Sequence, residues 1–421
     1  MPSTLSKLHD PAASGSVEHT VALLSQGSVD IDGSYGDVGR TPLMVASTMG
    51  YLRVVRVLLR LGAGVSVADN DGATALHLSI FSQYLAVSKA LVKAGADVEA
   101  LGVDGTPLHV AVAKGFHKGM VVLIYAGANV DSEQESGATP LYISARQGRL
   151  EDVKVLVGAK ANPLLPAYDG KTLPLDVAAE NGHLEVVREL VQRFGIDGCS
   201  RDGGAQALVE AASQNQVDIV TFLFDNGVVD AEGISLCAAV EGRREECIKL
   251  LLQRQGCNAN TSARAYANMA HDSTLPMHSN QLFQDNPLVS AIELGGFYSP
   301  RITRLLLDAG ADVASRVRYE GIEGDWVMHD TPLAIAESVL PLWETEWETS
   351  EDVEFGLKGV IRLLKQVDAV DAISWCWPSD ISRAAESEPI EKSTPIVRKL
   401  PGLKRRATKP RVLLAALSRC V

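Results

Sequence analysis

Asp169-Gly170-Lys171-Thr172 is the stretch most suggestive of chemistry, because Gly-Lys-Thr ends a loop whose backbone N–H groups cradle a phosphate. Such a loop needs a second Gly five residues before Gly170 so that the chain can wrap the anion, and Leu165 stands there. The tetrapeptide therefore reads as a turn followed by a helix start. Cys237, Cys247 and Cys257 sit ten residues apart, which raises a metal or redox reading. Ten residues turn a helix through about 1000°, so that spacing implies no shared face. The six Cys (199, 237, 247, 257, 376, 420) include no Cys-x-x-Cys pair and no His partner at ligand spacing. This argues against a zinc site and a disulfide framework, and for a reducing compartment in which free Cys packs as a small hydrophobe. Neither His-Glu-x-x-His nor Gly-x-Ser-x-Gly occurs. The chain is read as no enzyme, with no catalytic residue, metal or cofactor.

Charge offers a second kind of chemistry. Residues 378 to 421 hold ten Lys or Arg against four Asp or Glu, net +6, which leaves residues 1 to 377 at −19. Lys404, Arg405, Arg406, Lys409 and Arg411 resemble a nuclear-import signal, although such runs also bind anionic lipid or nucleic acid, or are merely solvated. Residues 341 to 357 carry six acidic residues and no basic one, and all five Trp (326, 343, 347, 375, 377) fall after residue 325. Trp there either caps an exposed core end or anchors a partner.

The elements that position these residues come from a chain of 421 residues, 46% hydrophobic and 22% charged, with 36 Gly. That composition suits a large buried core and excludes disorder throughout. No apolar run reaches the length of a membrane span, and the first twenty residues lack the apolar region of a secretory leader, so export is not expected.

Aligning TPLMVA (41), TALHLS (74), TPLHVA (106), TPLYIS (139), LPLDVA (173) and QALVEA (206) gives intervals of 33, 32, 33, 34 and 33 residues. Thr-Pro places a side-chain acceptor at a helix N-cap and Pro at the first helical position, where its missing N–H costs nothing. A short amphipathic helix follows, then a second whose stripe is plain in LRVVRVLLRLG and LEVVRELVQRF. Twenty-one residues from each start stand Gly62, Gly95, Gly127, Lys160, Phe194 and Gly227, so the closing Gly is late by one in the fifth unit and absent from the fourth. Asp71-Gly72, Asp104-Gly105 and Asp169-Gly170 supply the positive φ of a tight turn before the next cap.

The period, the Thr-Pro-Leu-His start and the Gly-Ala-Asp-Val after the second helix resemble the ankyrin repeat. Thr106-Pro107-Leu108-His109-Val110-Ala111 followed by Gly127-Ala128-Asn129-Val130 is a near-complete copy, and Gly310-Ala311-Asp312-Val313 repeats the second half. The resemblance implies an all-α solenoid of about ten helix-turn-helix units with hairpin turns. It also implies that His77 and His109 tie neighbouring turns together by hydrogen bonds. Turn tips and first helices are then expected to line the concave side that holds a partner.

The expected organisation is a degenerate capping repeat over 1–40, six regular repeats over 41–233, divergent repeats with insertions over 234–368, and a flexible basic tail over 369–421. Pro11 is expected to interrupt the first helix of the capping repeat. Insertions 261–285 and 314–330 are expected to lengthen hairpin turns, each as a mobile polar loop or a partner-contacting finger, and 341–357 to separate the two helices of the last unit. Turn tips point to Asp69, Asn70, Asp71, Val103, Asp104, Glu133, Glu135, Tyr168 and Asp169 as partner contacts. So many acids favour another protein with a basic surface, and no small-molecule substrate or nucleic acid. The chain reads as a cytoplasmic, and by its tail also nuclear, protein-binding scaffold. The alternative is an adaptor that recruits a ubiquitin ligase or other enzyme through its C-terminal region.

Overall fold

Thr41 and Thr139 start helices as their sequence context predicts: the Thr41 Oγ1 accepts from the Met44 N–H at 3.3 Å and the Thr139 Oγ1 from the Tyr142 N–H at 3.2 Å. The Pro that follows each Thr occupies the first helical position. In the computed structural model, which describes residues 8–25, 29–34, 36–167, 170–230, 233–254, 259–260, 286–293, 299–314, 317–320, 326–334, 336–337 and 358–367, this unit recurs along the chain.

The first helices of successive units are α1 (His9–Ser14), α3 (Pro42–Thr48), α5 (Ala75–Phe81), α7 (Pro107–Ala113), α9 (Pro140–Arg146), α11 (Pro174–Glu180), α14 (Ala205–Ser213), α16 (Ile234–Glu241) and α18 (Pro287–Glu293). The second helices are α2 (Val17–Ser25), α4 (Leu52–Arg60), α6 (Leu85–Lys93), α8 (His117–Tyr125), α10 (Leu150–Gly158), α12 (Leu184–Phe194), α15 (Val217–Asp225), α17 (Glu245–Gln253) and α19 (Ser299–Asp308). A one-turn α13 (Ile196–Cys199) follows α12, and one further helix covers 358–367. Each first helix packs against its own second helix and against the first helices before and after it, while the second helices form a parallel row of neighbours. The leucine two residues after each start (Leu43, Leu76, Leu108, Leu141, Leu175, Leu208, Leu236) is at most 1% exposed, and these residues belong to one continuous core. Each such burial is worth about 2 kcal/mol.

A second thread joins units through the turns that follow the second helices. The Gly64 N–H donates to the Asp32 carboxylate, Asp97 N–H to Ser66 Oγ, Asn129 N–H to Glu99 Oε1 and Asn162 N–H to Asp131 Oδ1. The same bond runs from the Asp312 N–H to Asn260 Oδ1 at 2.6 Å, so the unit of α18 and α19 resumes the register across the intervening segment.

Two local expectations change, at Pro11 and in the 314–330 insertion, and the late Gly of the fifth unit is explained. α1 forms through Pro11, the third residue of the helix; a helix leaves its first N–H groups without an internal partner, so Pro removes nothing there. The helix closes on Gly15 at φ 73° and α2 follows, so the first unit has a complete helix pair. α12 runs on to Phe194 and ends on Gly195 at φ 71°, which explains the late Gly of that unit. The 314–330 insertion contains an antiparallel hairpin, β1 (Val317–Glu320) with β2 (Trp326–Asp330), pairing Val317 with Asp330 and Glu320 with Trp326. It departs from the all-α pattern at that one place among the described residues. Insertions 261–285 and 341–357, and Trp343, Trp347, Trp375 and Trp377, lie outside the described residues.

Lys160 takes the left-handed conformation, φ 68°, that Gly62, Gly95 and Gly127 take in their own units at φ 92°, 86° and 93°. A side chain in that region costs about 1–2 kcal/mol, partly offset by the extra freedom Gly gains in the unfolded chain. Lys160→Gly is expected to raise the unfolding free energy by about 0.5–1 kcal/mol, read from urea melts. A loss of stability would contradict this account of the turn.

Candidate partner-binding surface

The turn before α5 is built on Asp69. Its Oδ1 accepts from the Asp71 N–H at 3.1 Å and the Ala73 N–H at 2.8 Å, and its backbone N–H donates to Ala73 O at 2.9 Å. The other oxygen faces the Arg40 Nε of the preceding unit at 3.6 Å. Asp69 is thus buried inside the turn, and its predicted place at an exposed tip is corrected: a carboxylate that satisfies two backbone donors sits beneath them. Asn70 is exposed but ties its tip to the one before, with its N–H on Val38 O and its Nδ2 on Asp37 O, both at 2.9 Å. The Val103 N–H repeats that bond to Asp71 O at 3.0 Å. Successive tips are joined edge to edge.

Three buried histidines, His77, His109 and His9, hold the spacing of these tips. The Thr74 N–H donates to His77 Nδ1 at 3.1 Å, which leaves the proton on Nε2, 3.1 Å from Gly105 O in the next unit. His109 does the same between the Thr106 N–H (3.2 Å) and Ala138 O (3.1 Å). His9 reaches Arg40 O at 2.7 Å, so the first unit uses the same tie. Burial, the largest influence on each, lowers the pKa of His77 and of His109. His77 and His109 are thus structural, as their place in the start motif implied.

Between two tips and the first helices lies a groove of about 440 Å³ lined by Leu78, Phe81, Val103 and Val110 with Asp71 and Asp104. Arg40, Asp69 and His77 form part of its wall. Val103 is 71% exposed and Phe81 49%, large values for apolar side chains. The Lys114 ammonium lies 3.8 Å from the Phe81 ring centroid, a cation on an aromatic face. Of the predicted contacts, the structure brings Asp71, Val103 and Asp104 together here, with buried Asp69 in the wall. Glu133 and Glu135 are exposed on the next tip, away from this groove. Tyr168, Asp169 and the basic residues Lys404 to Arg411 lie outside the described residues.

Phe81 was not among the predicted contacts, although its signal is in the sequence. At the corresponding place in other first helices stand Thr48, Ala113, Arg146 and Glu180, so an aromatic there breaks the pattern. Among the described residues no group of three or more His, Cys, Asp or Glu is placed to hold a metal ion, and no helix is long and apolar enough to cross a membrane. Cys199, Cys237 and Cys247 are buried, and burial raises the Cys199 thiol to about 12.

Residues 8–102, 100–167 and 175–263 match a family model described as ankyrin repeats in three copies. The chain is similar to the B-cell lymphoma 3 protein homolog of Mus musculus, 29% identical over 210 residues, 48% of this chain and 46% of that protein. It is also similar to the E3 ubiquitin-protein ligase KEG of Arabidopsis thaliana, 26% identical over 83% of this chain and 22% of the ligase. The mouse Nuclear factor NF-kappa-B p105 subunit is 32% identical over 31% of this chain and 14% of its own length. In each case the chain spans less than half the length of the relative.

The histidine ties set a pH dependence. Because folding lowers both imidazole pKa values, the unfolded chain takes up protons below about pH 6.5 that the folded one refuses, and stability falls with pH in that range. Asp176 and Glu241, raised to about 7 by burial, act in the opposite sense between about pH 4 and 7, so the histidine contribution is read as a difference. The stability gap between the parent and a His77→Gln/His109→Gln variant is expected to narrow from pH 7.5 to pH 5 in urea unfolding. A gap that stays constant would reject the tie as the origin.

Proposed function

Because the chain belongs to the ankyrin-repeat family, we propose that it is a non-catalytic scaffold that binds another protein through turn tips and first helices. The observation that carries this reading is the groove at Phe81: exposed apolar side chains beside the first helices, rimmed by the Asp71 and Asp104 carboxylates. Monomeric surfaces seldom leave such apolar area uncovered without an interaction to cover it. Residues 1 to 377 carry a net −19, so a basic partner surface is favoured and association weakens as salt screens it. Asn70, Glu133, Glu135, Tyr168 and Asp169 belong to the same proposal as contacts of the neighbouring tips. The run Lys404, Arg405, Arg406, Lys409 and Arg411 is proposed to direct the chain to the nucleus, beside a cytoplasmic pool.

The likeness to the plant ligase supports a second reading, an adaptor that brings a bound protein to a ubiquitin ligase through residues beyond the repeats. The matched part is 22% of that relative, so the likeness bears on the repeats and only indirectly on ligase recruitment.

Proximity labelling in cells separates these elements when the full chain is compared with a Phe81→Glu/Val103→Glu variant and with a chain ending at residue 377. The groove variant is expected to lose a defined set of labelled proteins while keeping its thermal melt, and the truncated chain to lose its nuclear signal. An unchanged set would reject the groove, and an unchanged distribution would reject the import role.

A further inference from the structure

The outward face of the first helices changes character along the stack. Counted from each start, the eighth residue is Phe81 in α5 and Glu180 in α11, and again Glu241 in α16; the fifth residue from the Gln206 start, in α14, is Glu210. Glu180 is exposed, whereas Glu210 and Glu241 are half-buried. Among the described residues none of the three forms an ion pair, and Glu210 takes only the Gln206 Nε2 donor at 2.6 Å. Burial raises the carboxyl of Glu241 to about 7 and that of Glu210 above its ordinary value, with the charge of Glu180 adding to the latter. Nothing in the repeat calls for acids there, since the earlier units place Thr48, Phe81, Ala113 and Arg146 at the eighth position. Carboxylates kept half-dry without a cation are a cost to folding that a cationic visitor would reverse.

Continuity comes from the stack itself. α5, α7, α9, α11, α14 and α16 pack in that order, each on the next, so these positions form a single row. We infer that this row takes one extended basic polypeptide segment, with an apolar side chain seated in the groove at Phe81 and basic side chains on Glu180, Glu210 and Glu241. The inference rests on the protein-binding reading and specifies the partner's chemistry. Charge complementarity selects the occupant: the face offers carboxylates without cations, on a portion of chain whose net charge is −19.

Geometry sets the spacing. Packed helices stand about 8–10 Å apart and an extended chain advances about 3.3 Å per residue, so one unit corresponds to about three residues. Three steps separate Phe81 from Glu180, which places the first basic residue about eight positions from the apolar anchor, with the others following at about three-residue intervals. Arg146, at the step before Glu180, disfavours a cation in between. A folded helix advances only about 1.5 Å per residue and would present a different interval, about six residues per step.

The test is selection of random sixteen-residue peptides displayed on phage against the full chain. Enriched peptides are expected to carry an apolar residue followed about eight positions later by Lys or Arg spaced by about three. The synthetic peptide should lose about tenfold in affinity on Phe81→Ala, and again on the Glu180→Gln/Glu210→Gln/Glu241→Gln variant, with circular dichroism unchanged. Enriched peptides indifferent to both variants would overturn the inference while leaving the scaffold reading intact, since binding would then use another face. Enrichment of acidic or uncharged sequences would overturn it in the same way. No enrichment over a bait-free control would also overturn it, and whether the broader reading falls is decided separately by the labelling experiment on the groove variant.

Discussion

A helix pair of this length has two apolar flanks and can cover neither alone. Leu108 is buried because α5 and α9 stand on either side of α7, and the same holds for Leu141 between α7 and α11. Stability is therefore shared between neighbours, and the loss of one unit exposes the flanks of two others. The polar ties follow the same logic. His77 and His109 bond forward to the next turn, Asn70 and Val103 bond back to the previous tip, and the carboxylates of Asp32, Glu99 and Asp131 receive the backbone of the following unit. Each unit is fixed by the one before it and the one after it.

This arrangement frees one row of side chains from structural duty. The buried leucine, the N-cap and the tie to the next turn are all constrained, whereas the eighth residue from each start touches solvent and varies from Thr48 to Phe81 to Arg146 to Glu180. Chemistry placed there changes what the surface attracts at little cost to the stack. The result is a face with an apolar groove toward one end and carboxylates without cations toward the other.

The regular units were legible because their signals are local. Thr-Pro states a cap and a start, and Asp71-Gly72 states a turn, each through the backbone geometry those residues permit. What escaped depends on position within the fold. Pro11 is a helix breaker by type, and only its place in the first turn makes it harmless. Asp69 looked like a surface acid, and only the turn's own N–H groups turn it inward. Phe81 breaks the pattern of the eighth position, but the groove it lines exists only once Val103 of the next tip is folded beside it. The pairing of β1 with β2 is not legible because two short strands carry too little pattern to stand out between repeats.

The central claim is that burial passes from neighbour to neighbour along a line, and amide hydrogen exchange on a Leu141→Ala variant tests it most directly. A cavity in α9 costs about 2–5 kcal/mol. The account predicts that protection falls most in α7 to α12 and least in α1 to α4 and in α16 and α17, graded with distance from the substitution. An equal loss of protection in every helix would show a single cooperative globule and contradict it.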